Sequence, residues 1–142
     1  MQVRRRSLVR FLAAAPLALS QPERRAAAAP PGPLVFDLGL YPVAGFQYYE
    51  GMALLRRGQL VEGQPVELRA EPGNPYDANA VEVWVQPEGA KLGYLPRAQN
   101  VTVQRLLLGG ADVRASLASV EFEGAPWQAV TLRLTLVAVA GG

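Results

Sequence analysis

Residues 71–79 read Glu-Pro-Gly-Asn-Pro-Tyr-Asp-Ala-Asn, a composition that specifies a turn and little else. Pro72 and Pro75 each fix φ near about −65°, and Gly73 tolerates positive φ. Asn74, Asp77 and Asn79 carry short side chains that accept hydrogen bonds from neighbouring backbone amides. The proline at 75 drives Asn74 out of the helical region, so that residue is expected to be extended. Immediately afterwards Val81, Val83 and Val85 alternate with Glu82 and Trp84, which is the period of a strand with one buried face. Pro87-Glu88-Gly89-Ala90 is a second turn, residues 91–95 form a return strand, and Pro96 ends it. The chain must therefore be built around a β-hairpin that is entered through a stiff polar loop carrying Tyr76 and Asp77. Such a loop is either a well-made connection or a presented binding surface.

The flanking segments extend the same pattern. Residues 65–70 alternate Val66 and Leu68 against Glu67 and Arg69. Residues 35–46 read as one strand or a broken pair, with Gly39 and Gly45 as possible bends. Tyr48 and Tyr49 then stand at the end of that strand, where alternation forbids both from facing the core, so one is expected on the surface. Residues 52–60, with the Arg56-Arg57 pair, fit a short helical turn or a loop. One convincing helix covers residues 98–108: Val101, Leu106, Leu107 and Leu108 supply its apolar face, Asn100 is placed to cap it, and Gly109-Gly110 stops it. Strands follow at residues 113–120 and 129–139. Five to six short strands and one short helix predict an all-β, mainly antiparallel fold, a small and partly open OB-like barrel.

The N-terminal segment is of a different kind. Arg4-Arg5-Arg6-Ser7-Leu8-Val9-Arg10 is similar to a twin-arginine export signal, and a short apolar stretch and small residues follow it. Residues 1–29 therefore read as an export signal, leading to the periplasm, or as a basic arm on a cytoplasmic protein. The apolar stretch is far shorter than the ~20 residues of a membrane span, so no transmembrane segment is expected. Residues 30–40 read as linker and first strand, and residues 41–139 as the domain proper. The segment also distorts the charge balance. Six of the fourteen basic residues lie before Ala29, opposed only by Glu23, which leaves eight basic and eleven acidic residues and a net charge of −3. The overall +2 is thus no argument for a polyphosphate partner.

Chemistry is bounded by what is missing. With no Cys and no His, the chain has no disulfide, no thiolate nucleophile, no imidazole base and no ordinary zinc ligand set. No nucleophile elbow or phosphate-cradling loop is present, so neither catalysis nor a cofactor is expected.

Three stretches together carry a family resemblance: Tyr48-Tyr49-x-Gly51, Glu71-Pro72-x-Asn74-Pro75-Tyr76-Asp77-x-Asn79-Ala80-Val81, and Leu92-Gly93-Tyr94-Leu95-Pro96-Arg97. The chain resembles the HIRAN family over roughly residues 41–139. That resemblance implies a non-catalytic binding module whose groove takes the 3′ end of single-stranded DNA. It implies stacking on Tyr48 or Tyr49 and on Tyr76, a terminal hydroxyl received by Asp77, and a phosphate held by Arg97. Gln47 stands where DNA-binding relatives can carry arginine, and Tyr94 where some carry histidine. An exported chain would instead offer the groove to another partner, such as an envelope protein.

Overall fold

The computed structural model describes residues 32–87 and 89–139. The twin-arginine-like segment lies outside the described residues. Six strands, β1 (Leu34–Pro42), β2 (Pro65–Ala70), β3 (Val81–Val85), β4 (Ala90–Tyr94), β5 (Asp112–Val120) and β6 (Val130–Ala138), form one sheet in the order β1-β6-β5-β2-β3-β4. Every neighbouring pair is antiparallel. The architecture is the all-β, OB-like one that strand spacing predicts.

Alternation decides the core. Val81, Val83 and Val85 are fully buried, and Glu82 and Trp84 take the other face of β3. Leu92 from β4, Leu117 from β5, and Leu132 and Leu134 from β6 meet them. β1 is a single strand through Gly39, with a bulge between Asp37 and Gly39 in its pairing to β6. Beyond β1 the chain crosses to the far edge of the sheet, where Ala44 forms an isolated antiparallel bridge with Tyr94. Both of its hydrogen bonds are well formed: Ala44 N–H to Tyr94 O at 2.8 Å, and Tyr94 N–H to Ala44 O at 3.0 Å. This bridge brings the two ends of the strand order together and makes the sheet a partly closed barrel. Gly93 permits it, because a Cβ there would collide with the Ala44 carbonyl oxygen and lie 2.9 Å from Val43 Cγ1.

Two local expectations are corrected, and one that stood open between a helical turn and a loop is resolved as helix. Tyr48 and Tyr49 do not end a strand; the chain makes a 3-10 turn at Phe46–Tyr48, after Gly45 takes a left-handed φ of 73°. Turn geometry rather than strand alternation separates the two rings. The ambiguous segment contains a true helix, α1 (Gly51–Arg56), seated with Gly51 against the Phe46 ring and Leu54 and Leu55 in the core. The long helix is α2 (Val101–Leu108), preceded by a 3-10 turn at Arg97–Gln99. Its inward stripe is not the leucine-rich face: Val101 and Leu108 are exposed, while Asn100, Val103 and Gln104 are buried and Leu107 packs against the core. Positions 100, 103, 104 and 107 have helical spacing, but two of the four are amides, so a search for apolar periodicity passes over them. Asn100 stands at the N-cap position without making a side-chain cap bond.

Candidate nucleic-acid interface

The β2–β3 connection is held by its own short side chains. Asn74 Oδ1 accepts from the Tyr76 and Asp77 amides at 2.8 and 3.0 Å, and Asp77 Oδ1 accepts from the Asn79 amide at 2.9 Å. Glu71 N–H to Ala80 O at 2.9 Å closes the base. These are the Asx bonds that the Asn/Asp/Pro composition specifies. The outer half of the loop is anchored from outside. Gln104 Nε2 donates to Ala78 O at 2.7 Å, Asn100 Nδ2 donates to Asp77 Oδ2 at 2.8 Å, and Arg97 Nη2 donates to the Tyr76 carbonyl. Tyr76 therefore presents its ring, 84% exposed, on a backbone clamped from both sides.

Between this loop and β4 runs a groove of about 460 Å³. Tyr49, Tyr76, Asp77, Tyr94 and Arg97 all line it, joined by Glu71 and Asn74. Gln47 and Tyr48 do not: they lie on the 3-10 turn, exposed and outside the lining, Tyr48 at 77%.

The wall opposite the loop is a network. Tyr94 and Tyr49 meet edge-on, with centroids 6.0 Å apart at 64°. The Tyr94 hydroxyl donates to Glu71 Oε2 at 2.9 Å and accepts from Lys91 Nζ at 2.8 Å. Lys91 is also paired with Glu82 Oε2 at 3.0 Å and lies 4.7 Å from the Tyr49 ring centroid. Lys91 is committed to internal partners and its side chain is mostly covered. Partial burial works against its charge, yet the Tyr94 hydroxyl and Glu82 outweigh this and hold its pKa above the ordinary ammonium value. Burial likewise pushes the Tyr94 phenol up, and acceptance by Glu71 adds to that against the opposing Lys91.

Asp77 is the charged group best defined by its surroundings. The Asn79 amide, then the Asn100 amide, hold its pKa below the ordinary carboxylate value against desolvation, and the Arg97 guanidinium, 3.8 Å away, adds to them. Its side chain is 17% exposed. A carboxylate offers about four acceptor positions, and two are occupied by these amides, so capacity remains for a donor in the groove. Arg97 is 73% exposed and is, among the described residues, the cation that lines the groove. Glu71 and Asn100 carry roles that sequence reading missed, because both depend on contacts more than twenty residues away. Among the described residues there is no group of carboxylates placed to hold a metal ion, and no helix long and apolar enough to cross a membrane.

Comparison with known proteins agrees with this architecture. A solved protein from Lactobacillus plantarum is 30% identical, with a TM-score of 0.63, over 75% of this chain and 99% of its own. The crystal structure of the human HLTF HIRAN domain is 23% identical with a TM-score of 0.57, over 77% of this chain and 82% of its own. The HLTF HIRAN domain in its DNA-bound conformation, solved by NMR, is 22% identical with a TM-score of 0.47, over 75% of this chain and 80% of its own. No curated protein matches the chain. The model of the HIRAN domain matches residues 38–137, which is most of the chain and the barrel from the β1 bulge to the penultimate residue of β6, and the chain belongs to the HIRAN domain family.

Proposed function

We propose that this groove binds the 3′ end of single-stranded DNA without catalysis, with Asp77 receiving the terminal hydroxyl. The observation that carries the reading is an ionised, oriented carboxylate set between exposed and half-buried tyrosine rings, with one guanidinium beside it. Each part has a physical task. Tyr76 and Tyr49 offer faces or edges to bases, and stacking of this kind contributes about 1–3 kcal/mol per base without reading sequence. Arg97 offers a charge to one phosphate. Asp77 and Glu71 repel phosphodiesters, so a continuous strand is disfavoured, whereas a neutral terminal hydroxyl can donate to Asp77. Tyr48, standing apart on its turn, is free to meet a base further along the strand.

The family resemblance supports this ligand class, and so does the human HIRAN-domain relative known in a DNA-bound conformation. The test is binding of a short fluorescent oligonucleotide with a free 3′ end to the wild-type protein, Tyr76→Ala and Asp77→Asn. Tyr76→Ala is expected to weaken binding about tenfold through lost stacking. Asp77→Asn is expected to abolish discrimination between free and blocked ends while retaining weak affinity. Unchanged affinity and discrimination in both variants would sink the proposal and turn attention to a non-nucleic-acid occupant of the groove, such as an envelope partner.

A further inference from the structure

The amide of Asn100 is buried in a way that packing alone does not explain. The residue is 1% exposed, and its Nδ2 donates to Asp77 Oδ2 at 2.8 Å. A carboxylate only accepts, so the amide nitrogen must face Asp77 and the amide oxygen must point away. That oxygen is buried and has no hydrogen-bond donor from the described protein. A buried acceptor without a protein donor costs stability, and an apolar side chain in the same place would not incur that cost. Helix capping does not account for the residue, since it makes no side-chain cap bond. Anchoring of the loop backbone does not require it, because Gln104, one turn along on the same face, holds Ala78 O at 2.7 Å and Arg97 holds the Tyr76 carbonyl. What Asn100 touches, and Gln104 does not, is the carboxylate.

We infer that Asn100 is a positioning residue for the groove: it fixes the plane of the Asp77 carboxylate, so that the remaining lone pairs face a terminal hydroxyl. The inference rests on the reading of Asp77 given above. The groups around Asp77 are the Asn79 amide from its own loop, Asn100 from the start of α2 and Arg97 from the preceding 3-10 turn. Across the groove stand Glu71 at the end of β2 and Tyr94 of β4, with Lys91 behind it. Arg97 is long and exposed, and Asn79 holds only Oδ1, so the orientation of Oδ2 depends on Asn100.

The experiment uses Asn100→Leu and Asn100→Asp in the full chain, with three readouts. Thermal unfolding reports the fold, carboxyl NMR reports the Asp77 titration midpoint without oligonucleotide, and competition between free and 3′-phosphorylated oligonucleotides reports end preference. For Asn100→Leu the melting temperature is expected to stay close to wild type, because removal of an orphaned acceptor offsets the lost bond to Asp77. Its Asp77 midpoint is expected to move up, and its end preference to fall about fivefold, the worth of one hydrogen bond. Asn100→Asp keeps the side-chain size and decides the matter if leucine is not tolerated. Two facing carboxylates disfavour each other's ionisation, so its midpoint rises further and its end preference falls as pH is lowered through the new midpoint. A midpoint and an end preference both unchanged from wild type overturn the inference. Wild-type protein without end preference contradicts the reading of Asp77 itself, and the ligand-free midpoint then still decides whether Asn100 holds the carboxylate.

Discussion

The Tyr94 hydroxyl donates to Glu71 Oε2 at 2.9 Å, so one hydrogen bond joins the wall strand of the barrel to the first residue of the binding loop. The same oxygen accepts from Lys91 Nζ. A neutral phenol thus bridges an ammonium and a carboxylate that would otherwise lack this connection.

Tyr94→Phe keeps the ring and its edge contact with Tyr49 but removes the bridge. The expected loss is about 1 kcal/mol, the net worth of a partly exposed hydrogen bond, with somewhat weaker oligonucleotide binding. Urea unfolding measures it, and an unchanged midpoint would show that the bridge holds nothing.

The same network sets the response to alkali. Both Lys91 and Tyr94 have folded pKa values raised above their reference values of 10.5 and 10.0. A group whose folded pKa is raised contributes stability that is complete below its unfolded pKa and is lost as pH rises through the folded one. The melting temperature is therefore expected to be insensitive to these groups at neutral pH and to fall above about pH 10. Tyr94→Phe, which lacks the phenol, is expected to fall less steeply. Parallel curves for the two proteins would contradict the assignment.

Gly93 is the position where the barrel closes. Alanine there would press a methyl group into the Ala44 carbonyl, in a backbone region at φ 149° that side chains avoid. Overpacking of this kind costs about 1–3 kcal/mol, and the backbone strain adds to it. Gly93→Ala is expected to lower the melting temperature by several degrees and to loosen the groove, since Tyr94 is the next residue. A melting temperature equal to wild type would mean that the edge opens without cost.

How much of this was legible in the sequence follows from the range of each interaction. The hairpin was legible, because Val81, Val83 and Val85 alternate and two Pro/Gly-bearing turns bracket them. The loop was legible too, because Asn74 and Asp77 bond to amides only two or three residues away. The inward face of α2 was not, because Asn100 and Gln104 are polar and are buried only against partners 23 and 26 residues earlier. The commitment of Lys91 was hidden for the same reason: β3–β4 pairing sets it opposite Trp84, two residues along β3 from its ion-pair partner Glu82, which no local pattern encodes. Tyr48 and Tyr49 were separated correctly for the wrong cause, since Gly45 redirects the chain into a turn before the strand period could apply.

End recognition by Asp77 is tested most directly by fluorescence anisotropy of the wild-type protein at low salt. Two otherwise identical oligonucleotides are compared, one with a free 3′-hydroxyl and one with a 3′-phosphate. The expected result is tighter binding of the free end by about tenfold or more, because the blocked end places a phosphate against Asp77 and Glu71. Equal affinity for the two ends would contradict the assignment of Asp77 as the acceptor of the terminal hydroxyl.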